Sequence, residues 1–223
     1  MKKILYIYIV LYSSFCFSQN IFLTEAKEIH ANNDKFLYAL KEEPKTDAQY
    51  LGKIEVSGFS NDDAAVFSEI YKKAKSIGGN SYFMKPAENI EGNSTFNPHH
   101  YILYIYYKEK QTIPQKENTV YLINPEKEIE VRINNKKIKL PQRSFLQLDL
   151  SQQEITDISV GKFLGSRIKL QAKNNQPEQY FQISGKKISA NSPASPGINY
   201  KTGDIIALEK SFAQFLLTIY EKI

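Results

Sequence analysis

Residues 50–84, YLGKIEVSGFSNDDAAVFSEIYKKAKSIGGNSYFM, decide the reading of the N-terminal half of the chain. Residues 52–59 alternate apolar and polar side chains, the pattern of a half-buried strand. Gly58 and Ser60 end it. Ser60, with Asp63 three residues later, reads as a helix start. A serine oxygen can accept from a free backbone N–H there, and an acid favours the positive end of the helix dipole. Val66, Phe67, Ile70, Tyr71, Ala74 and Ile77 then recur at three- and four-residue steps. They form one apolar stripe on a helix of about four turns. Gly78 and Gly79 follow where a C-terminal cap needs a left-handed residue. Residues 81–84 read as the next strand.

Working outward, residues 101–107 (YILYIYY) make an aromatic and β-branched strand. Residues 21–29 and 36–40 are further extended candidates, and 87–97 is a polar loop. The expectation for this half is an α+β layer, a helix on an antiparallel sheet. Residues 111–118 (QTIPQKEN) are polar, aperiodic and carry Pro114, so they read as a linker.

The second half reads as all-β until its end. Strands are expected at 119–123, 129–133, 137–140, 145–150, 167–172 and 180–183. Asn134-Asn135 marks a hairpin, because Asn tolerates the left-handed region. The Gly/Pro/Ser-rich stretch 185–203 reads as a long surface loop. From Asp204, the residues Ile205, Leu208, Phe212, Phe215, Leu216 and Ile219 fall on one helical face. That stripe must dock, and the domain's own sheet is the expected place. The resulting fold class is α+β: an α/β layer followed by a β-sandwich-like domain with a C-terminal helix. The domains are 1–18 as a signal peptide, 19–110 as the α+β domain, 111–118 as the linker and 119–223 as the sandwich.

The signal reading rests on Lys2 and Lys3, the apolar run 4–11 and the small residues that follow. Cleavage is expected after Ser18, ahead of Gln19. The apolar stretch 4–17 is too short to span a hydrocarbon core of ~30 Å as a stable helix. The alternative is a lipid on Cys16, against which stands the bulky Phe15 before it. Cys16 is the single cysteine. Once it leaves with the signal, disulfides, thiolate nucleophiles and Cys-ligated metals are excluded. Removal of 1–18 takes two lysines and no acid from a chain of formal charge +5, leaving +3. A charge so small and evenly spread argues against nucleic acid or an anionic membrane as partner. Ile, Lys and Asn usage points to an A+T-rich bacterial genome.

No HExxH, GxSxG, P-loop or GxGxxG occurs. His99 and His100 are adjacent, so on a strand they point to opposite faces, and His30 is distant in sequence. Asp62-Asp63 reads as a dipole partner of the helix rather than as a catalytic pair, which needs opposed placement across a cleft. Asp149, Glu154 and Asp157 could bind a hard cation, but no DxDxDG-like loop supports them. Lys136, Lys137 and Lys139 read as a solvated sheet edge. Gly78-Gly79-Asn80 reads as a cap and not as an anion nest, since the helix C-terminus is negative. Asn93-Ser94-Thr95 matches a glycosylation sequon, without meaning in a bacterium. No catalytic, cofactor-binding or metal residue is therefore assigned, and no cofactor.

Residues 50–84 resemble small bacterial envelope proteins, the heavy-metal-binding-like family and the lipoprotein sensor of the Rcs envelope-stress system. Leu51, Gly52, Val56, Ala74, Gly78, Gly79 and Asn80 carry the resemblance. The sensor's disulfide cysteines are absent, so its redox-linked architecture does not transfer, and no metal ligand does either. Residues 119–183 resemble small all-β domains of unknown function in bacterial envelope lipoproteins. That likeness rests on Val131, Ile133, Asn134, Ile138, Leu140, Phe145, Tyr180 and Phe181. It implies a sandwich and no activity. The expected function is a non-catalytic binding, scaffolding or sensing module, exported to the periplasm or cell surface, with an envelope protein or glycan as partner. The alternatives are a carboxylate-dependent hydrolase of an envelope polymer and a divalent-metal binder.

Overall fold

The computed structural model describes residues 19–87, 96–113, 116–161, 165–185, 187–190 and 198–223. The expected signal peptide with Cys16, the sequon, Pro114 and most of the 87–97 loop lie outside the described residues. The chain divides into two compact units, Met1–Ile113 and Pro114–Ile223.

The expected α+β class does not hold. The structure is mostly β, with sixteen strands against two α-helices among the described residues. One helix of 14 residues in the first unit is too little to make an α/β layer. Tertiary pairing claimed segments that sequence periodicity had left as loop or given to helix.

In the first unit, β1 (Asn20–Ala26), β2 (Tyr38–Ala39), β3 (Gln49–Ser57), β4 (Ser81–Pro86) and β5 (His100–Tyr107) form one sheet. Their spatial order is β1-β3-β5-β4-β2. It is not wholly antiparallel, because β2 runs parallel to β4. Between β3 and β4 lies α1 (Asp63–Ser76). Its cap is Asp62, whose side chain accepts from the Ala65 N–H. The expected cap Ser60 instead accepts from the Asp62 N–H, and so sits outside the helix ahead of the cap. Val66, Phe67, Ile70 and Ala74 are buried as the stripe predicts, and the helix lies against β1 and β3. The inner face of the sheet carries Ile54, Val56, Tyr101, Leu103 and Ile105, all fully buried or nearly so.

Gly78 ends the helix at φ +80°, and a Cβ there would meet the His30 carbonyl oxygen at 1.7 Å. Only glycine fits both demands. The segment before β2 therefore closes tightly over the helix end: His30 N–H donates to Ile77 O at 3.1 Å, and Asn32 Nδ2 to Gly78 O at 3.0 Å.

The second unit has two larger sheets and a hairpin. The strands β6 (Thr119–Asn124), β7 (Ile129–Ile133), β8 (Lys136–Leu140), β9 (Ser144–Asp149), β10 (Thr156–Val160), β11 (Arg167–Leu170) and β12 (Gln179–Ser184) come first. The hairpin is β13 (Lys187–Ala190) with β14 (Ile198–Lys201), inside the stretch expected to be loop. Then follow β15 (Asp204–Ala207), α2 (Lys210–Ile219) and β16 (Glu221–Lys222). The sheets run β11-β10-β7-β8 and β15-β12-β6-β9-β16. Val120, Leu122 and Ile183 of one sheet share a single core with Val131, Ile133, Leu140, Ile158 and Val160 of the other. Two sheets with a common apolar core make a β-sandwich arrangement. Asn134 and Asn135 take φ +48° and +67° at the β7–β8 turn, the mirror-image turn that matches strand twist.

The C-terminal helix is shorter than expected. Residues 204–207 pair with β12 as a strand. The three-residue step from Ile205 to Leu208 mimicked a helical period. The remaining helix docks on β6 and β12, burying Ala213, Phe215, Leu216 and Ile219. Glu209 caps it, accepting from the N–H groups of Ser211 and Phe212 at 2.9 Å each. Gln214 Nε2 reaches Glu178 Oε1 and Tyr180 Oη, both at 3.2 Å. Lys210 Nζ lies 3.3 Å from the same carboxylate oxygen. Burial, with Glu178 beside it, pushes the Tyr180 phenol far up from its ordinary value.

Candidate functional site

Side chains of β5 alternate between half-buried and buried as far as Ile105, so Ile102 and Tyr104 leave the sheet opposite to the buried Tyr101, Leu103 and Ile105; Tyr106 follows on their side and is itself buried. Register sets their neighbours on this outer face. Phe22, Glu55, Ile102 and Lys85 form one row across β1, β3, β5 and β4. Glu25, Lys53, Tyr104 and Phe83 form the next, and Tyr50, Tyr106 and Ser81 the third. Twin irregularities, between Leu23 and Glu25 on β1 and between Tyr50 and Gly52 on β3, bring Glu25 and Tyr50 onto this face.

The rings form one patch. Tyr50 lies 6.2 Å from Tyr104 and 5.6 Å from Tyr106 between centroids. Lysines stand over them: Lys27 over Tyr50 at 5.8 Å, Lys85 over Tyr104 at 4.9 Å and over Phe83 at 5.9 Å. Such placement draws the cation to the negative ring face. Acids balance the cations. Lys53 pairs with Glu25 at 3.7 Å, Lys85 with Glu43 at 2.6 Å, and His100 Nε2 with Glu55 at 2.9 Å. Burial pushes the Tyr50 phenol up to about 12, with Glu25 adding to it. Tyr106 likewise rises to about 12 through burial, then Glu43. Both phenols stay neutral donors at physiological pH. Phe22, on the edge strand, is 56% exposed.

A cleft of about 410 Å³ is the second feature of the first unit. Asn32, Asn33, Asp34, Lys35, Phe36, Asn80, Tyr107 and Lys110 line it. Two local turns shape its wall: Asn32 Oδ1 accepts from Asp34 N–H at 2.8 Å, and Asp34 Oδ1 from Phe36 N–H at 3.0 Å. Lys75 reaches under this wall. Its ammonium donates to the carbonyls of Asp34, Phe36 and Gly79 at 2.7, 2.6 and 2.9 Å. Desolvation lowers its pKa, against the opposing pull of Asp34. With all three protons engaged, Lys75 fastens the wall to the helix and is not available as a nucleophile. The Tyr107 ring is stacked on His30 at 3.7 Å.

The residues singled out in the sequence are scattered. Asp62 and Asp63 serve the start of α1. His99 lies beside Phe59 at 4.9 Å, while His100 and His30 hold the places just given. Asp157 forms a forked ion pair with Arg167, whose Nε lies 2.7 and 2.9 Å from the two carboxylate oxygens. Hydrogen bonding from Arg167 lowers the Asp157 pKa. Asp149 accepts from Thr119 Oγ1 at 3.0 Å, and Glu154 is exposed. Among the described residues, no three His, Cys, Asp or Glu side chains group as metal ligands do. Lys136, Lys137 and Lys139 lie on β8, an edge strand, with Lys137 paired to Glu130 at 3.1 Å and Lys139 to Glu128 at 3.3 Å. Gly78 and Gly79 terminate α1, and Asn80 is buried, exchanging hydrogen bonds with the Lys108 backbone at 2.7 and 2.9 Å.

Sequence reasoning missed both the aromatic face and the cleft. The alternation of YILYIYY was a signal for the first. The spacing Asn32-x-Asp34 was a signal for the turns of the second. Among the described residues, no helix is long and apolar enough to cross a membrane. Compared with known protein families, curated proteins and solved structures, the chain has no significant match.

Proposed function

We propose that this chain is an exported component of the bacterial envelope that binds, scaffolds or senses through a contact surface, without transforming its partner. The observation that carries this reading is the outer face of the five-stranded sheet. It presents Phe22, Tyr50, Phe83, Ile102 and Tyr104 beside Lys53 and Lys85, which pair with Glu25 and Glu43. Aromatic rings that keep a polar tip give large contact area at low entropy cost. Local charge balance leaves no net field to recruit an ionic partner. An uncharged stretch of envelope glycan suits such a face, with sugar C–H groups on the rings and hydroxyls on the paired ions. The basic, apolar and small-residue order of 1–18 supports export. The resemblances of 50–84 and 119–183 to envelope proteins support the same compartment.

The test is fractionation of the producing cell with mass spectrometry of the mature N-terminus. The reading expects a chain starting at Gln19 in the periplasmic or surface fraction. A chain retained in the cytoplasm with Met1 in place contradicts it. A lipid on Cys16 keeps the envelope role but tethers the protein.

A further inference from the structure

The cleft beside the helix end differs from the outer face in its charge. Asp34 is its single carboxylate. The ammonium of Lys75, bonded to the Asp34 carbonyl, stands beside it and offsets it. Two more lysines, Lys35 and Lys110, line the opening, and both are exposed. No ion pair within 4.0 Å engages either one among the described residues. Lys110 is held inward instead, its ammonium 5.6 Å from the Phe36 ring centroid. The cleft is thus an aromatic and amide wall under two cations that no carboxylate engages among the described residues.

One acceptor in that wall also lacks a donor. Asp34 Oδ2 is buried and unbonded, while Oδ1 is taken by the Phe36 N–H. A buried acceptor left open costs stability until a donor reaches it. A second cation is disfavoured as that donor, because the Lys75 ammonium already stands beside Asp34 and Lys35 and Lys110 line the same cleft. A neutral hydroxyl is not. The volume of about 410 Å³ falls within the range of small-ligand sites, roughly 300–1,000 Å³.

We propose that this cleft is a binding site for a small acidic saccharide, one sugar unit bearing a carboxylate or a phosphate. Its acidic group lies between Lys35 and Lys110, its hydroxyls meet Asn33 and, once the wall shifts to uncover it, Asp34 Oδ2, and its ring faces Phe36 and Tyr107. The site is separate from the outer face and does not rest on the reading given to that face.

The probes are glucuronate and glucose 6-phosphate, with glucose and inorganic phosphate as controls, titrated calorimetrically into the full mature chain. At least one acidic sugar binds, and more weakly as salt rises. Binding of glucuronate alone assigns a carboxylate source, and of glucose 6-phosphate alone a phosphate source. Lys35→Gln and Lys110→Gln each weaken it about fivefold, the scale of an exposed charge contact. Both side chains are exposed, so the melting temperature stays put. Lys136→Gln, in the other unit, changes nothing. Four results overturn the proposal: no acidic sugar binds, glucose binds equally well, inorganic phosphate binds as tightly as the sugar phosphate, or the two lysine variants keep full affinity.

Discussion

The Lys85 ammonium stands 4.9 Å from the centre of the Tyr104 ring while pairing with Glu43 at 2.6 Å. One side chain thus ties the aromatic patch to its charge balance. The Lys85→Met variant keeps the stem and loses the charge. Because the pair is part-exposed, its removal is expected to cost under ~1 kcal/mol in urea unfolding. Retention on the envelope partner falls. A loss of several kcal/mol would instead make Lys85 a structural residue of the sheet.

Ile70 is fully buried on α1. Ile70→Ala removes three carbons from a close-packed site, at an expected cost of about 2–5 kcal/mol by chemical denaturation. A cost below ~1 kcal/mol would show that the helix does not press on the sheet.

The last helix holds the second unit from outside its core. Phe215 and Leu216 are essentially inaccessible, and β16 pairs parallel with β9 just after the helix. Removing residues 210–223 uncovers Tyr121 and Tyr180, which stack at 5.2 Å on that side of the sheet. The truncated chain is expected to melt lower and to bind a hydrophobic dye. An unchanged melt with loss of a partner would make the helix an interaction element instead.

Asp157 titrates with a sign fixed by Arg167. The pair lowers the folded pKa of Asp157 below its unfolded value of about 3.9. Between these two values the unfolded chain binds more protons, so stability rises with pH across that window. The contribution is complete above the unfolded value and disappears as pH falls through the folded one. Asp157→Asn therefore flattens the acid limb of the stability curve, read by unfolding from about pH 5 to about pH 2. An identical acid limb in the variant would mean that the pair does not form in solution.

Local pattern carried much of the architecture. Val66, Phe67, Ile70 and Ala74 announced α1 because a helix stripe is written in consecutive residues, and the positive φ of Gly78 was legible beside it. Asn134-Asn135 announced its turn for the same reason. The misses came from distance. The strand β10, TDISV, is half polar and earns its place between β7 and β11 only by pairing. The hairpin of β13 and β14 lies in a stretch whose Gly, Pro and Ser content argues for loop. On the outer face, the sequence put Ile102, Tyr104 and Tyr106 together, but Phe83 and Phe22 join them through register alone. The cleft needs Asn80, Tyr107 and Lys110 beside 32–36, a meeting that no local signal contains.

Co-sedimentation of the purified mature chain with isolated envelope polymer tests the binding face most directly. Wild type is compared with Phe22→Ser/Tyr104→Ala, after equal melting temperatures show both chains folded. The account predicts that wild type sediments with the uncharged glycan fraction, with little salt dependence, and that the double variant stays in the supernatant. Equal sedimentation of the two chains, or binding only to protein-containing fractions, would contradict it.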